Sequence, residues 1–130
     1  MSTQYIKEHG VFSWNELLTT NVPAAKAFYR EVLGWELHDL DKPGMTYTIA
    51  KQGTREVAGI MAMPGDAKGM PPHWGSYVTV DDVDARVARV TALGGKLYMA
   101  PQDIPDVGRI AVIADPQGAT LGMITYFNKE

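Results

Sequence analysis

Residues 21–35, NVPAAKAFYREVLGW, and residues 82–96, DVDARVARVTALGGK, are two renderings of one unit. Asn21 to Asp82 and Gly34 to Gly95 both span 61 positions, and Val22/Val83, Ala24/Ala85 and Ala27/Ala88 keep that offset. Self-similarity at a fixed period marks a supersecondary element used twice. Each copy reads as a capped helix. Asn21 and Asp82 carry side-chain oxygens that accept from the orphan amides of a first turn. Pro23 stands where a missing N–H costs little, and Gly34 and Gly95 are natural stops. Val83, Val87, Val90 and Leu93 recur at helical spacing with Arg86 and Arg89 turned away; Val22, Tyr29 and Val32 or Leu33 do the same in the first copy. Lys26, Arg30 and Glu31 read as a solvated helix face.

Working outward, strands flank both helices. Val11–Leu18 and Tyr77–Val80 lead in, and Trp35–Leu40 and Lys96–Ala100 lead out. Two hairpins follow: 45–50 with 57–63 across Lys51-Gln52-Gly53-Thr54, and 109–114 with 119–127 across Asp115-Pro116-Gln117-Gly118, whose Pro and Gly suit a tight turn. Residues 64–72 are rich in Gly and Pro and read as a linker. The expectation is an α+β fold, one domain over 1–130, built of two βαβββ units at about 10–64 and 72–128.

Composition narrows the chemistry. The 130 residues fit one core. There is no cysteine, which removes disulfides and thiolate metal sites and suits a reducing cytoplasm. A net charge of −3 leaves no basic surface for nucleic acid. MSTQYIKEHG at the start has no apolar run of the signal-peptide kind, and no stretch approaches a membrane span. The expected setting is cytoplasmic, and the expected partner is a small molecule or a second copy of the chain. Gly94-Gly95 follows its helix instead of preceding it, so it is no phosphate cradle. Asp81, Asp82 and Asp84 lack the later Gly and Glu of a calcium loop. No Gly-x-Ser-x-Gly elbow occurs.

The order of these units, with Asn21-x6-Phe28-Tyr29-x4-Gly34-Trp35 in the first half and Val80-Asp81-Asp82-Val83-Asp84, Gly94-Gly95 and Asp115-Pro116-Gln117-Gly118 in the second, resembles the vicinal oxygen chelate superfamily. That superfamily contains glyoxalase I, bleomycin-resistance proteins and extradiol dioxygenases. Trp14-x-Glu16-Leu17 and His73-Trp74-x2-Tyr77 are similar to its glyoxalase-like branch. The resemblance implies a cup-shaped mixed sheet, a homodimer, and metal donors of the His, Gln or Glu kind on the first and last strand of each unit. Carried over one position at a time, those donors fall on Trp14, Gly59, Gly75 and Gly122. Glycine has no side chain, and an indole N–H has no lone pair for a metal. The expectation is therefore no metal and no other cofactor. A one-residue bulge would bring Asn15 or Glu56 onto the site face instead; the constant offset of 61 argues against it.

If those positions face the cup, alternation adds neighbours two residues away. The expected ligand surface is Phe12, Trp14, Val57, Gly59, Met61, Gly75, Thr120, Gly122 and Ile124, mostly apolar with a few polar groups, as small-molecule pockets are. Glu16, His73 and Tyr77 form a candidate acid–base set. Trp14, Val57, Met61 and Ile124 also read as ordinary core, Glu16 as a salt-bridged structural carboxylate, and His73 as a surface cap. Three functions compete: metal-independent binding of a small molecule, as in bleomycin-resistance sequestration or sensing; a lyase, isomerase or dioxygenase acting on a carbonyl or glutathione-derived substrate with relocated or no metal; and a structural role with a filled pocket.

Overall fold

The computed structural model describes residues 7–42, 45–63 and 70–127, so most of the 64–72 linker lies outside the described residues. The element order is β1 (Phe12–Thr19), α1 (Val22–Leu33), β2 (Glu36–Lys42), β3 (Met45–Gln52), β4 (Arg55–Ala62), β5 (His73–Thr79), α2 (Val83–Ala92), β6 (Lys96–Ile104), β7 (Gly108–Ala114) and β8 (Thr120–Tyr126). Strand, helix and three strands occur twice, and the fold is α+β with mixed strand pairing.

Trp14–Gly75 make one compact unit, and the residues up to Ser13 join Ser76 onward in the other. In the first unit the strand order is β2-β3-β4-β1. β1 runs parallel to β4, while β2–β3 and β3–β4 are antiparallel. The residues facing α1 are Leu17, Thr48, Ala50, Ala58 and Ile60, all buried. α1 itself buries none of its residues. It is tied down by side chains instead: Lys26 Nζ donates to Asp39 at 2.9 and 3.0 Å, and Asp39 also accepts from the Thr48 hydroxyl at 2.7 Å. Lys26 is thus a bridge and not part of a solvated face. Tyr29 stacks on Trp35 with centroids 5.8 Å apart and meets Trp74 edge-on at 5.5 Å.

In the second unit the order is β5-β8-β7-β6, with β5 parallel to β8 and the other pairs antiparallel. Here the helix buries a conventional core: Val80, Val83, Ala111 and Met123, with Val78, Val87, Val90 and Ile113 packed against them. Each fully buried side chain of this size contributes roughly 1.5–3 kcal/mol.

Both helices start where the capping residues predict. Asn21 Oδ1 accepts from the Ala24 amide at 3.0 Å and Asp82 Oδ1 from the Ala85 amide at 3.2 Å. Their ends differ. Gly34 adopts the left-handed conformation that stops α1, φ 75°, whereas α2 is followed by Leu93 and the left-handed residue is Gly94, φ 92°. Gly95 serves close packing: a Cβ there would lie 2.6 Å from the Ala114 carbonyl oxygen.

Candidate functional site

Alternation along the strands separates two faces in each unit. In the first unit, Glu16 stands directly opposite Gly59 across the β1–β4 pair, and Gly59 opposite Ile49 across β3–β4. This places Trp14, Glu16, Tyr47, Ile49, Gly59 and Met61 on the face opposite the one that α1 covers. In the second unit, Tyr77 stands opposite Gly122 and Gly122 opposite Val112. Tyr77, Ile110, Gly122 and Ile124 share the corresponding face.

A buried polar chain crosses the first unit. The Trp14 indole donates to the Tyr47 hydroxyl at 2.9 Å, and that hydroxyl donates to Glu16 Oε2 at 2.7 Å. Glu16 is 5% exposed and Tyr47 4%. Every donor in the chain is directed toward the carboxylate, the arrangement a buried acid needs to offset its lost hydration. Trp14 is half-buried.

The glycines at the last-strand positions do not open space, contrary to what a missing side chain suggests. A Cβ added at Gly59 would overlap the Tyr47 phenol oxygen and Cζ. One added at Gly122 would lie 2.5–2.7 Å from Cδ2, Cε2 and Cγ of Tyr77. Both positions are filled by tyrosine rings. Gly75 differs: nothing lies within 4 Å of its Cβ direction.

The bulge considered for the first unit exists, but away from Gly59. Ala50 pairs with Ala58 and Lys51 with Glu56, so Val57 is the extra residue. Glu56 becomes an exposed partner of Lys51, and Asn15 is also exposed. Trp14 and Gly59 therefore keep their places.

Of the other residues, Phe12 is 64% exposed, Thr120 exposed, and Val57 and Met61 half-buried, while Ile124 is buried. His73 is half-buried, and its Nδ1 donates to the Pro71 carbonyl at 3.0 Å. In a neutral ring that bond leaves Nε2 as the acceptor nitrogen. Trp14, Glu16 and Gly59 come together through Tyr47. Tyr77 belongs to the second unit and packs on Gly122. Tyr47 is the residue that sequence reading missed. The signal was a tyrosine in a strand whose neighbour carries glycine at the cross-strand position, a pairing visible only once the register is known.

A second polar chain belongs to the other unit: Thr79 Oγ1 donates to Ser13 Oγ at 2.7 Å, and Ser13 Oγ lies 2.9 Å from the Tyr126 hydroxyl. Burial pushes the Tyr126 phenol up, and the Ser13 hydrogen bond opposes that shift. Among the described residues, no three His, Asp or Glu side chains gather as a metal-binding group. An indole donor and three glycines do not fit the metal of the resemblance, and two of the glycines have no room for a replacement side chain.

The chain belongs to the Glyoxalase/Bleomycin resistance protein/Dioxygenase superfamily, whose family model matches residues 11–123. It is 42% identical over 120 residues to a Mycobacterium tuberculosis protein named "Putative glyoxylase CFP32", covering 92% of this chain and 45% of that protein. It is 34% identical over 127 residues to the anthracycline biosynthesis protein DnrV of Streptomyces peucetius, covering 88% and 46%. The chain thus spans about half the length of the curated relatives it matches. Among solved structures, methylmalonyl-CoA epimerase from Mycobacterium tuberculosis superposes with a TM-score of 0.58 at 17% identity, covering 95% and 94% of the two chains. That likeness shows the shared fold. No helix among the described residues is long and apolar enough to cross a membrane.

Proposed function

We propose that this chain is a small-molecule-binding member of its superfamily that works without a metal at the inherited positions, by sequestration or sensing of its ligand. The observation that carries this reading is the first unit's face opposite α1. It holds a half-buried Trp14 whose indole is fixed by the Tyr47 hydroxyl, which in turn donates to the buried Glu16. Aromatic surface with a few fixed polar groups is what small-molecule sites offer. His73 and Gly75 alternate on one face of β5, where the imidazole Nε2 acceptor lies near the open position at Gly75. Met61 and Val57, both half-buried, supply apolar contact in this unit.

A relative named for anthracycline biosynthesis makes planar polycyclic aromatics the first class to try. Titration calorimetry with an anthracycline, bleomycin and S-lactoylglutathione, following Trp fluorescence in parallel, tests the reading. We expect micromolar binding of at least one of them, lost in Trp14→Ala. Absence of binding to all three, extended by an empty thermal-shift screen, overturns it.

The enzyme reading rests on Glu16, a buried carboxylate fixed by a hydrogen-bonded tyrosine, and on the fixed tautomer of His73. Both are acid–base candidates for a carbonyl or glutathione-derived substrate. It requires Glu16→Gln or His73→Ala to abolish turnover with the melting temperature nearly unchanged; an unaffected rate sinks it. A cytoplasmic homodimer completes the proposal. Phe28, Val32 and Leu33 are exposed on α1, which suits self-association, and a monomer by sedimentation at micromolar concentration refutes it.

A further inference from the structure

We infer that Tyr47 and Tyr77 have each taken over the space of an inherited metal donor, so that both last-strand positions are closed by coupled glycine–tyrosine pairs. This goes beyond the binding reading and stands without any ligand. A Cβ at Gly59 would overlap the Tyr47 phenol, and one at Gly122 would come within 2.7 Å of three Tyr77 ring atoms. Neither ring is free to yield. The Tyr47 hydroxyl is held between Trp14 and Glu16, and Tyr77 is 4% exposed.

The two closures are not copies of each other. Tyr77 comes from β5, the first strand of its unit, and the residue 61 positions earlier is Glu16. Tyr47 comes from β3, the second strand after its helix. Two residues from it is Ile49, opposite Gly59; the matching place in the second unit, two residues from Val112 opposite Gly122, is Ile110. The two positions are thus closed independently, by rings from different strands. A carboxylate at either position has no room while its tyrosine remains, so no single reversion restores a metal donor there.

The test compares whole-chain variants by melting temperature and metal content. Gly59→Ala and Gly122→Ala are each made alone and together with Tyr47→Ala or Tyr77→Ala of the same pair. Each glycine substitution alone is expected to lower the melting temperature by more than about 10 °C or to prevent folding. In the matching alanine background the same substitution is expected to shift it by less than about 3 °C. Should a Tyr→Ala background prove insoluble, Tyr→Val carries the same comparison. Elemental mass spectrometry after incubation with Zn, Ni, Mn or Fe(II) is expected to find no stoichiometric metal in the unmodified chain. Equal glycine effects in both backgrounds, or one metal per chain, overturns the inference.

Discussion

The hydroxyl of Tyr47 donates to Oε2 of Glu16 at 2.7 Å, and the Tyr47 hydroxyl oxygen accepts from the Trp14 indole at 2.9 Å. One phenol therefore satisfies a buried acid and orients a half-buried indole. Tyr47→Phe keeps the ring over Gly59 but removes both bonds. It is expected to lower stability by about 1–3 kcal/mol, since buried polar atoms lose a partner. Urea unfolding at neutral pH measures this, and an unchanged midpoint would show that Glu16 and Trp14 do not depend on Tyr47.

Gly75 is the glycine of this set with open space beside it. Gly75→Ala is expected to leave stability within roughly 0.5 kcal/mol, as open sites usually do. Gly75→Trp is expected to fold as well but to weaken ligand binding at least about tenfold by filling the gap, a change of about 1.4 kcal/mol. Calorimetry beside a thermal melt separates the two effects; unchanged affinity would place the ligand elsewhere.

Asp39 makes the first unit sensitive to acid. The Thr48 hydroxyl first, and then Lys26, hold its carboxyl below the usual carboxylate range, while desolvation opposes them. A lowered folded value means that the stabilisation is complete above the ordinary carboxylate range and disappears as pH falls through the folded value. The stability gap between the unmodified chain and Asp39→Asn is expected to be constant near neutrality and to close below about pH 4. Urea midpoints from neutral pH downward check it; a gap that widens on acidification would reverse the assignment.

The helix starts provide independent controls. Asn21→Ala and Asp82→Ala each remove one capping acceptor. Each is expected to cost about 1 kcal/mol, with glycine at the same positions milder. Circular dichroism during urea unfolding reads both, and a silent Asp82→Ala would mean that its cap bond is replaced by water.

The helices and their starts were legible because Asn21, Pro23, Asp82 and the valine spacing act locally. The end of α2 was less so. Gly94 and Gly95 are adjacent, and only packing against Ala114 distinguishes the turn residue from the close-packed one. The strand lengths were underestimated where tertiary pairing extends them: β5 begins at His73, not Tyr77, and β6 continues through Pro101 to Ile104. The candidate donor positions came from the family resemblance, and Gly59 and Gly122 lie on β4 and β8 opposite Glu16 and Tyr77. Their meaning was not readable. An absent side chain looks like vacated volume until register shows whose ring lies across it. Glu16 was legible as a buried acid, but its partner lies 31 residues away on another strand.

One feature of the second unit bears on how copies of this chain avoid one another. β6 ends that unit's strand order, and its pairing with β7 slips between Leu97 and Met99 and again between Met99 and Gln102, around Pro101. A proline offers no N–H to an incoming strand, and slipped register bends the outer edge away from a flat template. Edge-to-edge addition of the amyloid kind is disfavoured along β6, so association through this unit must use side-chain faces, which are specific, in place of backbone ladders, which are not.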